Sequence, residues 1–207
     1  RKNTLMVFDS QLELMWSREL TSASQPLIYD LDRDGKSEIM IGYSVFDNAG
    51  VLKFDVGAFI DQISGTAQPL MTKNNNHFKI ERIGQLGNAY QDLTKLRQSL
   101  LNLLSNAAKF TREGTVTLRV DRQSRTAGDW LAFSVSDTGI GIPLGEQKRL
   151  FLAFEHGQLT TRRLFGGTGL GLSVTYGIIK DHAGEIRVES QPGQGTTFVI
   201  TLPLGTE

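Results

Sequence analysis

Between Asp92 and Phe110 the apolar residues recur at helical spacing. Leu93, Leu96, Leu100, Leu103, Leu104 and Ala107 fall within an arc of about 100° on a helix turning about 100° per residue. One face of a long helix is thereby committed to a core and needs a second layer to cover it. The flanking sequence supplies strands. HFKIERIG precedes the helix, TVTLRV and WLAFSVSD follow it, and EIRVES and TTFVITLP come after a second apolar-periodic run from Gly171 to His182. FDVGAFIDQISGTAQPLMTKNNN predicts a strand start, a short helix ending near Pro69 and a polar turn. This interleaving predicts an α/β (α+β) two-layer sandwich with a mixed sheet over residues 53–207.

The chain of 207 residues suffices for such a domain with a smaller segment attached. Lysine plus arginine equal aspartate plus glutamate at 22 each, so net charge gives no support to a nucleic-acid or acidic-lipid partner. Cysteine is absent, which excludes disulfides and thiolate zinc sites. No run approaches the ~18 apolar residues of a membrane helix, and RKNTLMVFDSQ lacks the apolar core of a signal peptide. Any membrane anchor of a parent protein is expected outside this segment.

Residues 1–52 have a different texture. TLMVFD, LELMWS and PLIYDLDRDGKSEIMIGY are short strand-like runs parted by turns, a β-rich segment. Asp30, Asp32, Asp34 and Glu38 surround Gly35, a spacing at which carboxylates collect around Ca²⁺. The twelfth position is Ile41, not Glu, so the helix-loop-helix calcium pattern is incomplete. The stretch is more similar to the acidic turns of calcium-binding β-propeller repeats; the competing reading is a solvated turn. One repeat cannot bury a core and no second copy is visible. Residues 1–52 therefore read as a propeller-repeat-like fragment or a fusion segment.

Opposite the apolar face of the long helix, Asn102, Asn106 and Lys109 fall within about 60° of one another, with Gln98 a turn earlier. Such a stripe is ordinarily a solvated face. Asparagine is nonetheless a costly choice there, because its side chain competes for backbone hydrogen bonds. Downstream, FSVSDTGIGIP ends a strand at Asp137 and enters Gly139 and Gly141, where the backbone can bend tightly and approach a flat ligand. A glycine turn with an Asp cap is the plainer account of that motif alone. LFGGTGLGLSV then places Gly166, Gly167, Gly169 and Gly171 before a helix, an arrangement whose amides can receive an anion.

NLLSNAAKFT, SDTGIGIP and GGTGLGLSV, in this order, resemble the asparagine box and two glycine boxes of sensor histidine kinases. The resemblance runs from about Phe54 to Pro203. It implies the ATP-binding fold shared with gyrase, mismatch-repair ATPases and heat-shock chaperones, with helices on one face of a mixed sheet. By that resemblance Asp137 accepts from the adenine amino group and Gly139 and Gly141 line the base. Asn106 holds Mg²⁺, Asn102 faces the same phosphates and metal, and Lys109 reaches toward them. Gly167, Thr168, Gly169, Leu170, Gly171 and Leu172 offer amides to the phosphates. RLFLAFEHGQLTTRRLFGG is similar to the phenylalanine box and lid, with Phe151 and Phe154 as its aromatics and Arg162 and Arg163 as candidate phosphate contacts. Ala153 departs from the family's usual Pro, and the run before the glycines is one residue longer.

The implied activity is that of a protein histidine kinase: Mg-ATP is bound and the γ-phosphoryl group passes to a histidine in two-component signalling. ATP-hydrolysing relatives carry a Glu where this chain has Asn102, and an amide is a poor base for activating water. His77, His156 and His182 all lie outside an acceptor-helix context. The expected partners are thus a histidine-bearing dimerisation domain and a response-regulator receiver domain, and the expected location is cytoplasmic. A nucleotide-binding or protein-interaction module without turnover, or a related ATPase, are the alternatives.

Overall fold

The computed structural model describes residues 3–8, 14–20, 27–29, 38–41, 44–46, 52–126, 128–147, 150 and 170–204. The elements in chain order are β1 (Asn3–Phe8), β2 (Leu14–Leu20), β3 (Leu27–Tyr29), β4 (Glu38–Ile41), β5 (Ser44–Phe46) and β6 (Leu52–Asp55). There follow α1 (Val56–Thr72), β7 (His77–Ile83), β8 (Asn88–Tyr90), α2 (Leu93–Phe110), β9 (Thr115–Arg125), β10 (Gly128–Asp137), α3 (Leu170–Asp181), β11 (Glu185–Gln191) and β12 (Gly195–Pro203).

Both long helices start where a carboxylate can take a free amide. Asp55 accepts from the Ala58 N–H at 2.7 Å and Asp92 from the Lys95 N–H at 3.0 Å, the N-cap arrangement. The sequence reading that ended the first helix near Pro69 is corrected, since α1 continues to Thr72. Proline removes one N–H and crowds the carbonyl four residues back. That local cost is outweighed because Ala67 and Met71, on either side of Pro69, are both fully buried and hold the last turn to the core.

The main sheet has the order β11-β12-β10-β9-β7. Its neighbours are antiparallel except β7 with β9, which run parallel, so the sheet is mixed as expected. Register assigns each row of side chains to a face. Ile80, Leu118, Val135, Phe198 and Val188 form one cross-strand row, all within or against the core. Glu81, Arg119, Ser134, Val199 and Arg187 form the next, and it is largely polar. The helices cover the first face. α2 packs between α1 and α3 and against β9 and β10, which buries Leu96, Leu100, Leu103 and Leu104 as its periodicity requires.

β9 is longer than TVTLRV suggests because its pairing with β10 runs to Arg125 opposite Gly128. There Arg122 holds Asp129 at 2.8 Å and Arg125 lies over the Trp130 ring. β5 and β8 are too short to alternate, and exist as pairing partners. They flank β6 in a second sheet, β3-β4-β5-β6-β8, while β1 and β2 pair with each other. Strand β6, at the junction of the β-rich segment and the rest, thus carries a neighbour on each edge. Asp30, Asp32 and Asp34 lie outside the described residues, and Glu38 opens β4 opposite Tyr29. No helix among the described residues is long and apolar enough to cross a membrane.

Candidate functional site

One row beyond Val135 on the covered face, the register places Phe78, Val116, Asp137, Thr196 and Ser190 in line. The alternation that sends Leu131, Phe133 and Val135 into the core therefore sends the Asp137 carboxylate under the helix layer, at the open end of the sheet. Burial pushes the Asp137 carboxyl above the ordinary carboxylate range. Backbone N–H groups of Gly139 and Thr196 and the Thr111 hydroxyl pull the other way with smaller effect. The Gly139 N–H donates to Oδ1 at 2.8 Å. Thr111, just past α2, is buried, and its hydroxyl completes no hydrogen bond of good geometry among the described residues.

Close approaches explain the glycines here. A Cβ on Gly139 would run into the Phe110 carbonyl oxygen at the end of α2, and one on Gly141 into the backbone of Gln191. Gly141 also has φ +68, which a side chain would strain. The loop is tied down by Ile140 N–H to Phe110 O at 3.3 Å and Gly193 N–H to Ile140 O at 2.8 Å.

Asn106 and Lys109 stand on the stripe of α2 that faces away from the core: Asn106 is half-buried and Lys109 exposed. Asn106 makes no side-chain hydrogen bond among the described residues, whereas the Asn102 amide donates to Thr175 Oγ1 of α3 at 2.9 Å. Gly171 and Leu172 lie in the first turn of α3, which begins at Leu170. Arg162, Arg163, Gly167, Thr168 and Gly169, with Phe151 and Phe154, lie outside the described residues.

Several residues that hold this site are not evident as functional in the sequence. The Ser190 hydroxyl accepts from the Ile142 N–H at 2.7 Å and meets the Thr196 hydroxyl at 2.9 Å, joining the glycine loop to β11 and β12. Thr196 could have been found from the period-two pattern of TTFVITLP, which puts it on the same face as Phe198 and Ile200. The polar turn NNN is a clamp on the end of α2. Asn76 Nδ2 donates to the Ala108 and Thr111 carbonyls at 3.1 and 2.9 Å, its Oδ1 accepts from the Gly114 N–H at 3.1 Å, and Asn74 Nδ2 donates to Ala108 O at 2.8 Å. These amides satisfy carbonyls that a helix end leaves unpaired. Asn76→Ala should lower the unfolding free energy by about 2–4 kcal/mol, because it orphans buried groups as well as losing bonds. Urea denaturation tests this. A smaller loss than Asn74→Ala, where a single bond is at stake, would contradict the clamp.

Residues 91–206 match the family model for histidine kinase-, DNA gyrase B-, and HSP90-like ATPases. Over 113 residues the chain is 52% identical to the circadian input-output histidine kinase CikA of Synechococcus elongatus, covering 54% of this chain and 14% of that protein. It is 37% identical over 153 residues to the sensor histidine kinase AruS of Pseudomonas aeruginosa, covering 73% of this chain and 15% of that one. Among solved structures it is similar to full-length ShkA in complex with AMPPNP, with TM-score 0.65, 27% identity, and coverage of 76% of this chain and 32% of that one. The catalytic domain of histidine kinase ThkA is also similar, with TM-score 0.61 and 25% identity over 73% of this chain and 94% of that one. The chain thus spans about one seventh of the length of CikA and AruS.

Proposed function

Because the chain belongs to the family of histidine kinase-, DNA gyrase B-, and HSP90-like ATPases, we propose that it binds Mg-ATP and donates the γ-phosphoryl group to a histidine on a separate dimerisation domain. One observation carries the reading: Asp137 is an acceptor held under the helix layer at the end of a sheet row, beside a glycine loop packed on the C-terminal end of α2, the helix that bears the Asn106–Lys109 stripe. Asp137 receives the adenine amino group, and Gly139 and Gly141 let the base approach the backbone. Asn106 offers its oxygen to Mg²⁺, and Lys109 lends a positive charge to the phosphates. The amides of 167–172 and a lid arginine, Arg162 or Arg163, complete the phosphate site.

These groups position the triphosphate and neutralise its charge, which is most of what phosphoryl transfer asks of a protein. The bond from the bridging oxygen to the γ-phosphorus breaks, a new bond forms to an imidazole nitrogen, and ADP leaves with the electron pair. Hydrolysis is disfavoured because the position that would hold a water-activating carboxylate is Asn102. His182 Nδ1 is engaged with the Ile178 carbonyl at 2.7 Å, and His77 opens β7, so neither sits in an acceptor helix. A receiver domain is the expected next acceptor, and the need for ATP assigns the segment to the cytoplasm.

Incubation with γ-labelled ATP should leave the chain unlabelled alone and label a histidine-bearing helical bundle when one is added. That product should be acid-labile and alkali-stable. Stoichiometric labelling of His77, His156 or His182 in the chain alone would overturn the separate-acceptor reading, and rapid phosphate release would favour an ATPase. Nucleotide binding without transfer to any bundle would leave a binding module. Binding should also require Mg²⁺, since Asn106 brings no charge of its own. Equal affinity in excess chelator, measured by calorimetry, would reject the role given to Asn106.

A further inference from the structure

We propose that Asn102 is a positioning residue that fastens the start of α3 to α2, and that it serves the phosphate site through α3 rather than by touching phosphate or metal itself. The inference rests on the ATP-binding reading above and divides the labour between two asparagines one turn apart. Both lie on the polar stripe of α2, yet their surroundings differ. Asn106 makes no side-chain hydrogen bond among the described residues, so its oxygen is available to a ligand. Asn102 is already engaged: its Nδ2 donates to Thr175 Oγ1 at 2.9 Å, and Thr175 is only 1% exposed.

The shape of α3 fits this contact. Gly171 and Thr175 are four residues apart and so stack on one helix face. A Cβ on Gly171 would be driven into Asn102 Oδ1 and would lie 2.8 Å from its Cγ. Glycine at 171 and a hydroxyl at 175 therefore form a notch that the carboxamide fills, with its oxygen against the Gly171 backbone and its nitrogen on the hydroxyl. The notch lies in the first two turns of α3, directly after the glycine stretch assigned to the phosphates. Thr175 is buried while Asn102 is half-buried, so removing the amide strands the Thr175 hydroxyl away from water. The consequence falls on where the first turn of α3 stands relative to α2, and so on phosphate recognition. The adenine end, built on β10 and β12, is held by other bonds.

The test compares ATP with adenosine, which shares the base but lacks phosphate. Thr175→Val should weaken ATP binding by about five- to tenfold, the scale of one buried hydrogen bond, and leave adenosine affinity within about twofold. Thr175→Ser, which keeps the hydroxyl, should bind ATP as the unsubstituted chain does. Asn102→Ala should match Thr175→Val, and the double variant should be no weaker than the weaker single one, because both remove the same contact. The proposal is overturned if Thr175→Val leaves ATP affinity unchanged while Asn102→Ala lowers it, since Asn102 would then act on the ligand directly. It is equally overturned if ATP and adenosine weaken in parallel, as general loosening of the fold would produce. An unsubstituted chain that binds no ATP would instead refute the nucleotide-site reading.

Discussion

Replacing Asp137 with Asn should weaken ATP binding by about 1.5–3 kcal/mol, roughly tenfold to a hundredfold, while the fold persists. The substitution keeps the shape of the side chain, and its oxygen can still accept from the Gly139 N–H. The other half of the group turns from an acceptor into a donor, so it would face the adenine amino group donor to donor. The same site makes a pH prediction. Burial raises the Asp137 carboxyl above its ordinary value, so the folded state binds its proton more readily than the unfolded chain does. Ionising Asp137 therefore costs stability as pH rises through that raised value, and acidification relieves the cost. Nucleotide binding should move oppositely, because it needs the ionised acceptor and weakens as pH falls through the same range. Calorimetry across pH should show this acid limb in the unsubstituted chain and not in the Asn variant. An unchanged dissociation constant in a variant with unchanged circular dichroism would remove Asp137 from the site.

Gly195→Ala should be the more damaging substitution to the fold, lowering the unfolding free energy by about 2–5 kcal/mol through left-handed strain and overpacking together. Gly195 has φ +94, and a Cβ there would be driven into the backbone carbonyl of Asp137 across the β10–β12 pairing. Relief requires one strand to move, which shifts the Asp137 backbone and loosens the ladder at the site. ATP affinity should therefore fall with stability. Gly193→Ala provides the contrast: its φ is +75 but a Cβ would meet nothing within 4 Å. It should cost only the conformational term, about 1–2 kcal/mol, and leave ATP affinity intact. Equal losses for the two variants, read from urea denaturation, would mean that the close approach to Asp137 has no role.

What the sequence determined by itself was whatever depends on residue type and regular spacing. The apolar period of 92–110 committed α2 to a core, and the spacing of Asn102, Asn106 and Lys109 on its far side was already a shared stripe. Alternation in WLAFSVSD and TTFVITLP foretold two of the strands, and the glycines announced tight backbone at 139 and 141. Such features are local, because a helix or a strand repeats the same geometry every few residues. The tertiary structure decided what depends on meetings between distant segments. Pro69 marked a helix end in sequence, yet the burial of Met71 carried α1 past it. The NNN turn looked merely polar until the carbonyls of Ala108 and Thr111 were placed beside Asn76. Asn102 and Asn106 looked alike until Thr175 arrived opposite one of them. The alternation of TTFVITLP gave the face of Thr196, but only the register set Thr196 and Ser190 in line with Asp137. For Asn76, Asn102, Ser190 and Thr196 the deciding partner lies tens of residues away in the chain, and no periodicity within one segment can encode which distant group packing will bring to it.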